Sequence, residues 1–309
     1  MNNKKFLILA PSFRPDNGGG IVLHRLCALL NELGYEAYIT RFFNGSPVYS
    51  NDFVAPLFEI VARSLWNFIT PFKLHAGWRT PIIKNPKLPL GSEWIVIYPE
   101  LVFGNPLKAQ CVVRWWLHQP GFHTGRVFYG SGEYHVDFNS FGQDFCYPGS
   151  KKASMPLNVL AFPFEYYNLQ NALPVAQRTG TAYCLRKGKG KALVHDLSDS
   201  VLIDGKSHAK VAAILKRVKT FISYDAYTAY SSFAVLCGAA SVVIPDTGLD
   251  KHAWYPDPAD RYGVAYGFED MEWASETAPR VFDRMMQKES DSLKSVSFFA
   301  EDVLQYFEK

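Results

Sequence analysis

Residues Phe221 to Asp246, FISYDAYTAYSSFAVLCGAASVVIPD, read as strand, polar turn, helix and second strand within 26 residues. Phe221 to Ser223 close an apolar run, and Tyr224 to Ser232 then supply an acid, three tyrosines and a Thr/Ser set where a helix should begin. Ser231 or Ser232 is the expected cap. Phe233 to Ala240 is small or apolar, Gly238 can end the helix, and Ser241 to Ile244 forms a β-branched strand stopped by Pro245. Such a turn aims unpaired amides and a helix dipole outward, favouring an anion by about 0.3–1 kcal/mol at an exposed site. An ordinary crossover with a polar loop uses the same residues, so a second feature has to decide.

That feature lies upstream. Thr181 to Leu185 reads as a strand and runs directly into Arg186-Lys187-Gly188-Lys189-Gly190-Lys191, four cations in six residues. A solvated, flexible turn would carry the same charges. Here, however, the cluster stands at the carboxyl end of a strand, and Gly188 and Gly190 let the backbone approach a ligand closely. Ligands of open α/β sheets bind outside those strand ends. Arg186, Lys187, Lys189 and Lys191 on one segment, and Asp225, Tyr227, Thr228, Tyr230 and Ser231 on the other, therefore point to one diphosphate-binding crevice.

At 309 residues the chain exceeds the usual single-domain size, so two domains are expected. A net charge of +3 is too small to indicate a nucleic-acid partner, and none is expected. The five cysteines, Cys27, Cys111, Cys146, Cys184 and Cys237, are odd in number and lack CxxC spacing, which fits reduced thiols in a cytoplasmic protein. The apolar run Phe6 to Ala10 is too short for a signal peptide, and no stretch approaches 18 apolar residues.

The first 40 residues form a complete βαβ pattern: strand Phe6 to Ala10, a loop ending in Asn17-Gly18-Gly19-Gly20, helix Ile21 to Leu33, a Gly34 stop, and strand Glu36 to Thr40. The Gly triplet is not GxGxxG, so a nicotinamide enzyme is a weaker reading. Residues 60–92 contain no acid, yet Arg63, Lys73, Arg79, Lys84 and Lys87 alternate with Trp66, Phe68, Phe72 and Trp78. This stretch suits peripheral contact with an anionic membrane, or a packed helix pair and Pro-rich loop. Trp94 to Tyr98 leads into Pro99-Glu100, and Val112 to Leu117 leads into His118-Gln119-Pro120-Gly121, so both runs place ionisable groups at strand ends. Further strands are expected at Val127 to Tyr129 and Asn158 to Phe162, with a hinge at Pro163-Phe164-Glu165. The α/β pattern then restarts with Thr181–Leu185, Val201–Ile203 and helix His208 to Lys219. Val296, Phe299, Val303 and Phe307 mark an amphipathic helix from Ser292 to Phe307.

Two α/β halves, a Gly-rich first loop, a cationic strand end and a phosphate-directed helix together resemble the GT-B glycosyltransferases. The resemblance implies an α/β fold of two Rossmann-like, doubly wound domains facing a central cleft. Residues 1–165 would form the acceptor domain and 166–290 the nucleotide-sugar donor domain, with helix 291–309 packing back on the first. Phe6 to Thr40 is similar to the opening of such enzymes, placing Gly19 and Gly20 beside the donor diphosphate. Arg186 and Lys189-Gly190 match their strand-end Arg and following Lys-Gly, with Lys191 at longer spacing. Laying Leu236-Cys237-Gly238 on their Ala-Cys-Gly-type turn puts Asp225 at the first acid of a Glu-x7-Glu element and Phe233 at the second, which is implied to hold the donor ribose. The Tyr-Pro-Glu and Arg-Lys-Gly segments are also similar to transferases of bacterial surface-polysaccharide clusters.

The resemblance further implies a cytoplasmic, metal-independent glycosyltransferase with no cofactor. Its partners would be a nucleotide-sugar donor and a saccharide or lipid-linked acceptor. Glu100 and His118 compete for the role of base or acceptor-orienting group. His123 makes a His-x4-His pair with His118, but Pro120-Gly121 opposes a helical zinc arrangement and no third ligand suggests itself. A GT-B-fold epimerase or phosphorylase needs no separate acceptor groove, and a non-catalytic scaffold of a polysaccharide complex would tolerate Phe233.

Overall fold

The computed structural model describes residues 4–41, 70–122, 125–138 and 145–308. The chain divides into two compact units, Met1–Ala161 with Glu289–Lys309, and Phe162–Lys288.

The first unit is built on strands β1 (Lys5–Ala10), β2 (Ala37–Arg41), β3 (Trp94–Pro99), β4 (Cys111–Trp116), β5 (Tyr134–Asp137) and β6 (Lys151–Lys152). All pair in parallel, in the order β2-β1-β3-β4-β5-β6. A parallel sheet is covered on both faces, so its strands read as continuous apolar runs rather than as alternation. That is why Phe6 to Ala10 carries no polar residue and lies buried throughout. Helix α1 (Gly18–Glu32) buries Leu23, Leu26, Cys27 and Leu30 against one face. Leu7, Leu9, Val96, Tyr98 and Val112 form a second core on the other.

The second unit carries β7 (Thr181–Cys184), β8 (Ser200–Leu202), helix α2 (His208–Leu215), β9 (Thr220–Ser223), helix α3 (Tyr230–Leu236) and β10 (Ala240–Val243). Helix α4 (Lys251–Trp254), β11 (Val264–Tyr266) and helix α5 (Met271–Thr277) follow. Its sheet is also parallel, ordered β11-β10-β9-β7-β8. The almost fully buried Arg178 donates to the carbonyls of Leu215, Val218 and Cys237, satisfying chain ends that α2 and α3 leave open. The long helix α6 (Val281–Phe307) contributes Val281 and Met285 to the core of the second unit and Val296, Phe299, Ala300 and Val303 to that of the first. Among the described residues no helix is long and apolar enough to cross a membrane.

In each sheet the strand order reverses beside the first strand, between β1 and β3 and between β7 and β9. The chain thus has the doubly wound α/β architecture expected from its sequence. Four local expectations need correction. The Gly triplet is helix rather than loop: Asn17 caps α1, its side chain accepting the Gly20 amide at 3.2 Å. Asn158 to Phe162 is not a strand, because the amides of Asn158 and Leu160 go to the Ser295 and Ser292 hydroxyls of α6. Val127 to Tyr129 is irregular, tied by the Gly104 amide to Phe128 and by the Tyr129 hydroxyl to the Glu100 carbonyl. Finally, α2 stops at Leu215 rather than Lys219.

Candidate functional site

The two segments singled out in the sequence of the second unit emerge from adjacent strands flanking its switch point. β7 pairs directly with β9, and the Tyr224 amide continues the ladder to the Cys184 carbonyl at 3.0 Å. Beyond them the loops are clamped. Asp204, just past β8, accepts the amides of Leu185 and Arg186 through Oδ2 at 3.1 and 2.9 Å. Arg186 takes a left-handed backbone with φ of 43°, costly for a residue with a Cβ and held here by those bonds. Gly188 is pressed against the Tyr224 carbonyl so closely that any Cβ would overlap the oxygen. Glycine is obligatory there for contact with the protein itself, not for approach to a ligand.

The Arg186 guanidinium lies 3.8 Å from Asp225 Oδ2 and 5.2 Å from the centre of the Tyr230 ring, with its side chain about half exposed. Asp225 is buried and accepts the Tyr227 amide at 3.1 Å. Lys187 and Lys189 are exposed and make no ion pair among the described residues. Lys191 is different: its ammonium meets Asp246 at 2.6 Å and the Ile244 carbonyl at 2.9 Å. It ties the β7 loop to the end of β10 and brings no spare charge.

The turn after β9 also departs from expectation. Neither Ser231 nor Ser232 caps α3; both lie inside it, and Ala229 takes the cap position. The Tyr230 amide reaches Thr228 Oγ1 at 3.4 Å and the Ser231 amide reaches the Thr228 carbonyl at 3.3 Å. The Thr228 and Ala229 amides have no hydrogen-bond partner among the described residues. The Ser231 hydroxyl is buried without a hydrogen bond among the described residues. Tyr227 stays exposed, its ring edge-on to Tyr255. Phe233 is a core residue, stacked on Tyr167 at 4.2 Å and flanked by Tyr230 and His208.

In the first unit the switch point lies between β1 and β3. Glu100 directly follows β3, and its Oε2 accepts the Leu117 amide at 3.2 Å, so the ends of β3 and β4 are joined. Burial pushes the Glu100 carboxyl up to about 7, in spite of opposing hydrogen bonds from backbone amides including those of Leu117 and His118. His118 accepts the Gln119 amide on Nδ1 at 2.8 Å and packs on Phe122 with ring centres 4.1 Å apart. With Nδ1 engaged, the neutral ring carries its proton on Nε2 and acts as a donor. On this geometry His118 offers a donor and the Glu100 carboxylate an acceptor. The first turn of α1 adjoins this corner: a Cβ on Gly19 would touch Leu117 at 3.6 Å. Gly20 is buried, with its amide already used by Asn17.

Other residues marked by the sequence fall elsewhere. His123 and residues 60–69 lie outside the described residues. Of the rest of the basic stretch, Phe72 packs on the core of the first unit, and Trp78 stacks on His75 at 3.9 Å with Arg25 at 5.5 Å. These aromatics are engaged with protein rather than offered to lipid. Sequence reasoning misses Asp204, although a signal for it exists: it ends the apolar run Val201 to Ile203 just before Gly205. It also misses the buried Arg114–Glu133 pair, since Arg114 sits inside what reads as an apolar strand.

No protein-family model and no curated protein matches the chain. Three solved structures align along nearly its full length. The spinosyn forosaminyltransferase SpnP is 10% identical, with a TM-score of 0.33 over 98% of this chain and 99% of its own. Sucrose-phosphate synthase from Thermosynechococcus elongatus is 9% identical, with a TM-score of 0.35 over 98% and 96%. Acinetobacter baumannii MurG is 10% identical, with a TM-score of 0.29 over 95% and 94%.

Proposed function

We propose that this chain is a GT-B glycosyltransferase that moves a sugar from a nucleotide-sugar donor to a saccharide or lipid-linked saccharide acceptor, in the cytoplasm, as in bacterial surface-polysaccharide synthesis. The observation that carries this reading is the convergence at the β7–β9 switch point. A half-exposed arginine, two further cations and a buried hydroxyl without a partner stand at the strand ends where open α/β sheets bind ligands. A nucleoside diphosphate supplies what these groups lack, namely negative charge and acceptor oxygens.

In the proposed reaction the bond between the anomeric carbon and the diphosphate oxygen breaks, and the oxygen keeps the electron pair. Arg186, Lys187 and Lys189 stabilise the charge that develops, so that no metal is required. The acceptor hydroxyl oxygen bonds to the anomeric carbon and gives its proton to Glu100, while His118 donates a hydrogen bond through Nε2. Arg186→Ala should lower turnover about a hundredfold with the fold intact. Turnover and nucleoside diphosphate affinity measured side by side test this, and unchanged values for both would remove the diphosphate assignment.

One observation favours a second reading. Phe233 is locked in the core, so no acid stands at the position implied to hold the ribose. A non-catalytic relative kept for scaffolding would tolerate that loss, and calorimetric titration with nucleoside diphosphates separates the two, because a scaffold binds none.

A further inference from the structure

Past the end of β8 the chain runs through buried Ile203 to Asp204, whose two carboxylate oxygens are used unequally. Oδ2 accepts the amides of Leu185 and Arg186. Oδ1 is shielded from solvent and meets no donor among the described residues. Such an oxygen is costly to leave bare and calls for an explanation, which a ligand's donor can provide.

Position in the sheet indicates which donor. In doubly wound sheets that bind dinucleotides, the first strand leads into the phosphate-directed turn. An acid roughly 20 residues further on, past the second strand, accepts a ribose hydroxyl. Here β7 is the first strand of its unit and β8, its parallel neighbour, the second. Asp204 lies 18 positions beyond Arg186. Three other acids at this end of the sheet are committed: Asp225 to the Tyr227 amide and Arg186, Asp246 to Lys191, and Asp270 to Arg261 at 2.6 Å.

We propose that Asp204 accepts a ribose hydroxyl of the bound nucleotide through Oδ1 while its Oδ2 holds the cationic turn. The inference rests on the nucleoside diphosphate reading given above. It supplies from β8 the carboxylate that Phe233 cannot supply from α3. It also makes one side chain answer for both ribose recognition and the placement of Arg186.

The test is calorimetric titration of the full chain with ADP, GDP, CDP and UDP, then with the 2′,3′-dideoxy form of whichever binds most tightly. The dideoxy nucleotide should bind about 10–100-fold more weakly, the expected value of hydrogen bonds to a carboxylate. In Asp204→Asn, which keeps one carbonyl oxygen for the two amides but puts an NH2 in the other place, that ratio should fall below about threefold. Equal binding of ribose and dideoxy forms by the unaltered protein overturns the role of Asp204 and leaves the diphosphate reading standing, without recourse to a variant. A ratio unchanged in Asp204→Asn does the same. Absence of binding by all four diphosphates overturns both.

Discussion

On the proposed function, Glu100→Gln should lower sugar transfer by about 10²–10⁴ and remove the rise of rate with pH, the span expected for loss of a positioned general base. The proposed activity of the unaltered protein should rise as pH passes through about 7, where the buried carboxyl ionises. Stability provides a readout that needs no substrate. The native state keeps the Glu100 proton up to about 7, whereas the unfolded chain loses it near the ordinary value of 4.5. Between those values the native state binds more protons, so this group makes stability fall as pH rises. The contribution is complete below the unfolded value and lost by about 7, at about 3 kcal/mol for full burial. Urea unfolding midpoints compared across that window should therefore show Glu100→Gln gaining on the unaltered protein as pH increases. A constant difference would mean that Glu100 titrates normally and is no poised base.

Glu133→Ala is expected to cost about 3–5 kcal/mol of unfolding free energy, because it strands a buried guanidinium. Arg114 is fully buried in β4; it donates to Glu133 through Nε at 2.7 Å and Nη2 at 2.8 Å, and to the carbonyls of Val102 and Gly104. The Tyr98 and Tyr129 rings lie 4.9 and 5.0 Å from its guanidinium carbon. Burial pushes the Glu133 carboxyl up, but hydrogen bonds from Arg114 and His135 outweigh it and hold the group below its ordinary value. Its pH signature is thus opposite to that of Glu100: stability is present above the ordinary carboxylate range and is lost on acidification. Adding Arg114→Met to Glu133→Ala should recover only part of the loss, since the Val102 and Gly104 carbonyls then lack their donor. Chemical denaturation of both singles and the double would decide it, and additivity would show that the two side chains do not act as a pair.

The architecture is legible in the sequence because parallel strands announce themselves. Runs such as Phe6 to Ala10 and Phe221 to Ser223 are apolar on both faces, bounded by polar turns and separated by helix-spaced residues. The irregular segments are not. Asn158 to Phe162 has the composition of a strand, but its amides are satisfied by serines more than 130 positions away, a pairing no local pattern encodes. The candidate site is half legible. Clustered cations after β7 and an acid after β3 stand out by chemistry alone, and the fold puts each at a switch point. Which cation is spent internally depends on what lies opposite in space, as Lys191 shows by pairing with Asp246. The elevated Glu100 carboxyl depends likewise on burial, which sequence does not display.

Helix α6 bears on how the protein is made. Most of the first unit precedes Phe162–Lys288 in the sequence, yet Val296, Phe299, Ala300 and Val303 of its core follow that segment and are synthesised after it. Domains generally fold as units in the order of synthesis. Here that order should be inverted, with contiguous Phe162–Lys288 able to consolidate while the sheet begun before it waits for its final helix. A fragment ending at Ala161 should accordingly be protease-sensitive and bind hydrophobic dyes. Until that helix is made the nascent first sheet has part of one face uncovered, which gives a chaperone an apolar surface to hold.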